Sequence, residues 1–443
     1  MQFMNYNELL ADFQKIHNQS EIEQRAFKDR LVRRQLQEAI TKSNYYRELI
    51  DHNNIDIGVI QSCADLHLLP IISSEIFSES MSKVSMAFDD IVRYCHTSGS
   101  TGTTKRVPYT RKDIDNAVTS QARSYLFAGV EPFDKCLCAM TYGPWPSGMI
   151  CHAASEIFGL TIPADSFLGL DHQLQSLQKD KLNYMVCLPS LLPRLEQHCL
   201  EKDISPESLN VRNIFMVGEL FSEDFRSYYE KLFNSKLINM YANTEFGLVA
   251  TECRHHNLHV WEDYFHAEVI DPDTGEPCEF GVTGELVITA LQREALPLIR
   301  YNTHDLVEMH SGPCECGHPG TYLGPIQGRS DNMFTVNGAN VYPIMLENTI
   351  TGTTGLSSFY HCIIEKVDGY DHLTFKIEAR EAVDKQGKIG LAQLFYSNLS
   401  GSDVTLRMIF LGLKSALRLN IEILQPGEIS QKPGKVKKII DRR

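Results

Sequence analysis

Over the first 52 positions, apolar residues recur at intervals of three and four with charges between them. "NELLADFQKI" and "AFKDRLVRRQLQEAI" show the period most plainly, and it predicts amphipathic helices. From about residue 180 the pattern becomes short apolar runs, each closed by a polar or glycine cluster: "NYMVCLPS", "RNIFMVGE" and "KLINMYANTE". Between them lie "LLPRLEQHCLEK" and "SEDFRSYYEKLF", which carry the helical period. Buried strands alternating with helices predict an α/β fold with a parallel sheet. Ligands gather beyond the carboxyl ends of such strands, which singles out Gly218-Glu219 and the stretch from Tyr241 to Glu245.

From "GELVITAL" to "LIRYNTHDLVEM", β-branched residues and short turns predict an antiparallel section. Beyond Gly328 the style changes again. "FYHCIIEKVDGYDHLTFKIEA" reads as two strands around a turn at Asp368-Gly369, and "GKIGLAQLFYSNL" as a helix. The expectation is a large domain over residues 1–327 with a helical start, mixed and parallel sheets and helices. A small, mobile α+β domain over residues 328–443 follows it.

Composition narrows the function. With 443 residues, 43% hydrophobic and 22% charged, the chain reads as a globular protein of more than one domain. A net charge of −14 argues against non-specific nucleic-acid binding, while leaving room for a nucleotide at a local basic site. The start, "MQFMNYNELLADFQKIHNQ", has early carboxylates and no apolar signal core, and no run approaches the roughly 18 apolar residues of a membrane span. Twelve scattered cysteines in a chain of this size predict reduced thiols and a cytoplasmic setting, some of them free to bind metal.

The candidate chemistry begins at "YCHTSGSTGTTKRVPYT", where hydroxyls, glycines and paired cations crowd one loop. Glycine lets backbone N–H groups approach closely, hydroxyls donate hydrogen bonds and Lys105 and Arg106 bring charge, all of which suit a polyphosphate. A solvated polar loop has the same composition. Neither the Walker spacing nor the dinucleotide fingerprint is met, because Thr104 precedes the lysine and only Gly99 and Gly102 are present.

Further along come "VGEL", "YANTEFG", "RYNTHD", "GRSDNMFTVNGANVYP" and "QKPGKVKKIIDRR". In this order and spacing they resemble the acyl-adenylate-forming superfamily, and most of all its phenylacetate–CoA ligase branch. The resemblance runs from about residue 90 to the end. It implies two steps: a carboxylic acid and Mg²⁺-ATP form an acyl-adenylate and pyrophosphate, and a thiol, usually that of CoA, then displaces AMP. Ser98, Ser100, Thr101, Gly102 and Thr103, with Lys105, would then hold the leaving phosphates. In "YANTEFG", Tyr241 would pack on adenine beside Ala242 and Asn243, Thr244 would touch the α-phosphate and Glu245 would hold Mg²⁺. Gly218 and Glu219 would lie where adenine meets the acyl group. Asp305 would bind the ribose hydroxyls, Arg329 ribose or phosphate, and Asp331 would be the hinge between domains. His304 stands where the superfamily usually has glycine. Lys435 would stabilise charge developing during adenylation, although its neighbours Lys432, Lys437, Lys438, Arg442 and Arg443 also make a solvated basic tail.

Tyr142, Gly143, Pro144 and Trp145 fall where the acyl pocket should be, and their flat apolar surface suits an aryl or arylacetic acid, or plain core packing. Cys253, His259, Cys314 and Cys316 form two clusters that could close on one Zn²⁺, as some relatives of this branch do, or remain free thiols. The acceptor stays open between CoA, a pantetheinylated carrier protein and an amine. A non-catalytic nucleotide-binding scaffold is the reading from another class, and a homodimer is compatible with all of these. No nucleic acid and no membrane are expected as partners.

Overall fold

The computed structural model describes residues 4–73, 88–97, 105–165, 169–312, 314–332, 334–336, 339–367, 370–401, 418–429 and 438–443. Ser98, Ser100, Thr101, Gly102, Thr103 and Lys435 lie outside the described residues, as does the Asp368-Gly369 turn. No helix among the described residues is long and apolar enough to cross a membrane.

The helical start comprises Tyr6–His17, Glu21–Lys42 and Asn44–His52. Asn5 with Glu8, and Ser20 with Glu23, cap the first two helices reciprocally, satisfying amides that have no partner within the helix. Their apolar stripes place Leu9, Leu31, Val32, Leu36 and Ala39 in the same core as the sheet. Polar bonds fix the docking. Buried Arg123 reaches Asp263 at 2.8 Å and Asp12 of the first helix at 2.5 Å. The Tyr46 hydroxyl accepts from the Ile299 amide at 2.9 Å and donates to the Pro297 carbonyl. Tyr46→Phe strips both groups of a buried partner and should cost about 1–3 kcal/mol in denaturant unfolding. An unchanged midpoint would mean that water replaces the phenol.

One sheet runs through the large part of the chain. Its parallel half sets Thr161–Pro163, Cys136–Ala139, Tyr184–Cys187, Asn213–Val217 and Lys236–Asn243 side by side in that order. Alternate residues of these strands enter opposite cores, as a period of two requires. Tyr184, Val186, Phe215, Val217, Ile238 and Met240 face one, and Met185, Cys187, Ile214, Met216 and Leu237 the other. Both faces are therefore covered, which explains why the runs read as continuously apolar. Beyond Lys236–Asn243 the sheet continues antiparallel through Gly247–Glu252, Leu258–Val260, Tyr322–Leu323, Tyr301–His310, Thr283–Ala290 and Phe265–Ile270.

The C-terminal part has its own core. Leu356–Val367 and Tyr370–Ala379 pair antiparallel, with Leu419–Leu424 and Ile439–Asp441 added parallel at the two edges. Helices Pro343–Thr351 and Lys385–Gly401 accompany this sheet. The first core ends with Ile326 and this one begins with Phe334, so a separate C-terminal domain follows the large one. The two meet at the helix Glu223–Phe233. There Ser222 and Thr351 share a hydrogen bond of 2.7 Å, and the Arg380 guanidinium lies 3.9 Å from the centre of the Tyr228 ring.

Candidate active site

The sheet changes from parallel to antiparallel at the turn between Lys236–Asn243 and Gly247–Glu252. The Asn243 side chain accepts from the Phe246 amide at 2.9 Å, and Gly247 takes the positive φ of +81° that closes the reversal. "YANTEFG" thus stands at the open end of the parallel strands, where a ligand has room. The Tyr109 hydroxyl donates to the Thr244 carbonyl at 2.7 Å. Glu245 is buried; its Oε1 accepts from the Tyr301 hydroxyl at 3.2 Å and lies 4.0 Å from Lys105 Nζ. Lys105 also closes the neck of the hydroxyl-rich loop. Its amide donates to Thr97 Oγ1, and its carbonyl accepts from the Thr97 amide, each at 3.1 Å.

A second group forms beside it. The Tyr241 hydroxyl donates to Asp305 Oδ2 at 2.5 Å, and Arg329 Nη1 lies 3.5 Å from Asp305 Oδ1. Asp305 and Arg329 pair across strands, and the same guanidinium donates to the Thr303 carbonyl at 2.8 Å and clasps both oxygens of Asp331 at 2.8 and 2.6 Å. Burial pushes the Asp305 carboxyl up, against the pull of Arg329 and of the bonds from Tyr241 and Thr303. Tyr301 escapes sequence reasoning; it stands four residues before Asp305 on the Tyr301–His310 strand, whose pairing with Thr283–Ala290 is irregular between Asn302 and Leu306.

At the end of Asn213–Val217, Gly218 takes φ +87°, and a Cβ there would meet Leu188 at 3.2 Å. The Glu219 carboxylate turns back to accept from the Ser190 amide and hydroxyl at 2.9 and 3.2 Å. The Pro144 carbonyl accepts from the His96 amide at 2.9 Å, so the Tyr142–Trp145 loop packs on the strand that leads into the hydroxyl-rich loop. The Tyr142 hydroxyl lies 3.0 Å from His152 Nδ1, whose Nε2 is 3.2 Å from Glu156.

Glu347 also escapes sequence reasoning. It is a buried carboxylate on the C-terminal domain's Pro343–Thr351 helix, 2.5 Å from Lys438 Nζ. Burial pushes it up, Lys438 opposes, and the charge of Glu219 adds to the rise.

Cys253, His259, Cys314 and Cys316 come together, with their ligand atoms all within 4.8 Å of one another. Cys253 and Cys314 sulfurs are 3.8 Å apart, and Cys316 Sγ is 3.3 Å from His259 Nε2. Amides of His255, Cys316 and His318 point at the three sulfurs from 3.3–3.5 Å, which favours thiolates. Burial, with the fields of His318 and His17, holds His259 down to about 3, so its imidazole is neutral, as a metal ligand must be. Three sulfurs and one imidazole fit zinc.

A family model described as AMP-binding enzyme matches residues 17–292. The chain belongs to the AMP-binding enzyme family. The C-terminal domain model of the same family matches residues 338–443 of this AMP-binding enzyme. It is 27% identical to a phenylacetate–coenzyme A ligase of Thermus thermophilus over 95% of its own length and 96% of the relative's. It is 30% identical to a phenylacetate–coenzyme A ligase of Escherichia coli over 76% of its length and 78% of the relative's. Among solved structures, a 2-hydroxyisobutyryl-CoA ligase in the postadenylation state shares the fold, with a TM-score of 0.83 at 19% identity, covering 97% of this chain and 92% of the other.

At His304 the resemblance leads to the expectation of a glycine. The histidine adopts φ +61°, a conformation that glycine takes freely and histidine rarely does. Two bonds offset the cost: its amide donates to Asn302 Oδ1 at 2.8 Å, and its Nδ1 lies 3.2 Å from Glu285 Oε1. Burial would raise Glu285, but bonds from His304, Ser330 and Asn302 overcome it and hold it at about 2. The bond to Glu285 in turn raises His304 against burial, with Asp331 adding to the rise and Arg329 opposing it. The depressed carboxylate contributes stability above its unfolded value of about 4.3, which is lost as pH falls towards the folded value. The raised imidazole contributes below about 6.5, and loses its contribution as pH climbs through its folded value. The melting temperature of Glu285→Gln should therefore fall furthest below wild type between about pH 4.5 and 6.5. A gap that does not vary with pH would remove the charge pairing from the account.

Proposed function

We propose that the chain activates an aryl or arylacetic acid with Mg²⁺-ATP and transfers the acyl group to CoA. In the first step a carboxylate oxygen bonds to the α-phosphorus and pyrophosphate leaves. In the second the thiol sulfur bonds to the acyl carbon and AMP leaves, its proton passing to solvent. The observation that carries this reading is the meeting of two polar groups where the sheet changes direction, Lys105 with Glu245 and Tyr241 with Asp305 and Arg329. The first pairs a cation and a hard carboxylate at the neck of the phosphate loop. The second offers a buried acceptor to ribose hydroxyls.

Glu245, the carboxylate beside Thr244, suits Mg²⁺, which would neutralise phosphate charge when bound. Thr244 is oriented through its carbonyl by Tyr109, and Ala242 and Asn243 form the strand end on which Tyr241 is set. Tyr142, Gly143, Pro144 and Trp145 line the acid's side of the cleft, and Gly218 and Glu219 its junction with adenine. Cys253, His259, Cys314 and Cys316 hold a structural zinc with no open position. The domain boundary lies at 327/328, and the C-terminal domain turns about Asp331 between steps. Lys438 is held by Glu347 within the C-terminal domain, and Lys435, three residues earlier in the chain, stabilises the charge that develops during adenylation. Free cysteines are in keeping with a cytoplasmic setting.

Full-length relatives named for phenylacetate support an arylacetic acid and CoA. The test is acid-dependent ATP–pyrophosphate exchange across aryl, arylacetic, hydroxybenzoic, fatty and amino acids without thiol. Exchange with aryl or arylacetic acids alone is the expected result, followed by thioester formation with CoA. Exchange confined to another class would replace the proposed acid, and transfer to a carrier protein in place of CoA would replace the acceptor. ATP binding with no exchange for any acid would return the scaffold reading.

A further inference from the structure

Neither half-reaction calls on Arg293, a buried cation packed against Arg106–Thr110, the strand that leads out of the hydroxyl-rich loop. Its guanidinium carbon stands 3.8 Å from the centre of the Tyr109 ring, and Nη2 donates to the Pro108 carbonyl at 3.2 Å. Tyr109 is the residue whose hydroxyl donates to the Thr244 carbonyl at 2.7 Å. One side chain thus bears on the strand below the loop and, through a phenol, on the turn of "YANTEFG".

The backbone around Arg293 is held from two sides. Gln35 of the helix Glu21–Lys42 donates to the Arg293 carbonyl at 2.7 Å. Asp113 accepts from the Glu294 and Ala295 amides at 2.8 and 3.0 Å, and from the Thr110 amide at 3.0 Å. The same carboxylate therefore joins the segment after Arg293 to the end of the strand that Arg293 packs against. Burial would lower Arg293, but the charge of Asp113 and the nearby Tyr109 overcome it, so the cation persists. Burial pushes the Tyr109 phenol up to about 12 against Arg293, and its hydroxyl stays a donor at neutral pH. Arg293 Nε meets no hydrogen-bond acceptor among the described residues. A buried guanidinium that leaves a donor unfilled while lying on a ring is placed for the ring.

We infer that Arg293 is a positioning residue: stacked on Tyr109 and bonded to Pro108, it sets the Thr244 backbone and the exit of the phosphate loop for the triphosphate. The inference rests on the proposed two-step reading, in which Thr244 touches the α-phosphate. Arg293 itself touches no nucleotide in that reading. Without the cation the ring is free to tilt, and the bond at its far end weakens with distance and angle.

Arg293→Lys keeps a charge near Asp113 and loses the flat face that matches the ring. Tyr109→Phe keeps the ring and loses the hydroxyl. In the full chain each should raise the KM for ATP in pyrophosphate exchange about five- to tenfold and leave the KM for the acid unchanged. The double variant should fall well short of the product of the single effects, because both act on one bond. Without acid, Mg²⁺-ATP should bind more weakly by the same factor, while adenosine, which has no phosphate, binds as to wild type. Should Arg293→Lys fail to fold, Arg293→Gln is read in the same way. An unchanged KM for ATP, multiplicative losses in the double variant, or equal weakening of adenosine would overturn the inference. If the wild-type protein exchanges pyrophosphate with no acid, the two-step reading fails by itself. The affinities then decide Arg293: weaker ATP with unchanged adenosine supports its role, and unchanged ATP refutes it.

Discussion

Lys435→Ala is expected to lower acid-dependent pyrophosphate exchange by on the order of 10²–10³ while sparing thiolysis of supplied acyl-adenylate. The lysine sits in a cluster of cations, and the prediction depends on setting the others aside. Three of them have structural partners. Lys438 meets Glu347 at 2.5 Å, Arg442 meets Glu365 at 2.8 Å, and Arg443 meets Asp441 at 2.6 Å and Asp371 at 3.3 Å. Lys432 and Lys437, like Lys435, lie outside the described residues. The pairing of Lys438 with Glu347 anchors the last strand of the C-terminal domain, and Glu347 feels the charge of Glu219 in the large domain. Lys435 stands three positions upstream of that anchor in the sequence, and its proposed place is where negative charge grows as the carboxylate attacks the α-phosphate. An ammonium group placed there acts on the transition state of the first step alone. Arg442→Ala, which removes an exposed pair, should leave exchange near wild type. Equal loss of both half-reactions in Lys435→Ala would assign the lysine to nucleotide binding or to folding instead.

The features legible in the sequence are those in which neighbours in the chain are neighbours in the fold. Apolar runs ending in "GE" and "NTE" became strands whose alternate residues feed two cores, and the two strands read on either side of Asp368-Gly369 pair antiparallel. "YANTEFG" was readable because one turn holds Asn243, Thr244, Glu245 and Gly247 together. Continuity of the sheet was not readable. The sequence marked an antiparallel section within the large domain but not how it is attached, which is by one reversal at Gly247. Tyr301 was missed because a tyrosine on a buried strand looks like core. The Glu285 cluster was less visible still. Ser330 lies 45 residues from Glu285 and His304 lies 19, and each alone is an ordinary strand or turn residue. His304 was marked only as a departure from glycine, and its reason is a partner across the sheet. The Glu347–Lys438 pair, 91 residues apart, needed the C-terminal sheet to be assembled first.

Removing zinc is expected to have the largest effect on stability. Structural zinc sites bind with about 10–16 kcal/mol in small peptides at neutral pH, and whatever part of that is realised here is folding free energy. The ligands come from two places that the sheet brings together. Cys253 and His259 flank and occupy the hairpin of Gly247–Glu252 and Leu258–Val260, and Cys314 and Cys316 lie in the connection between Tyr301–His310 and Tyr322–Leu323. Tyr322 pairs with His259 in register, so a metal bound there would close a loop whose ends the sheet already holds. Without it, burial pushes the Cys316 thiol up to about 12, and the Cys253 thiol also rises. Two protonated thiols and a neutral imidazole would then share a pocket shaped for an ion. Purified protein should carry about one zinc per chain, the closed-site stoichiometry. Chelation or Cys314→Ser should lower the melting temperature well beyond any single substitution proposed above. Pyrophosphate exchange at a permissive temperature should survive with a raised KM for ATP and little change in kcat. The reason is geometric: the site lies past the far end of the strand that carries Asp305, where His310 stacks on Tyr322 at 5.3 Å. Loosening that end would move Asp305, the proposed ribose acceptor. Zinc-free protein whose melt is indifferent to chelator would refute the site, and loss of kcat at unchanged KM would make the metal part of the chemistry.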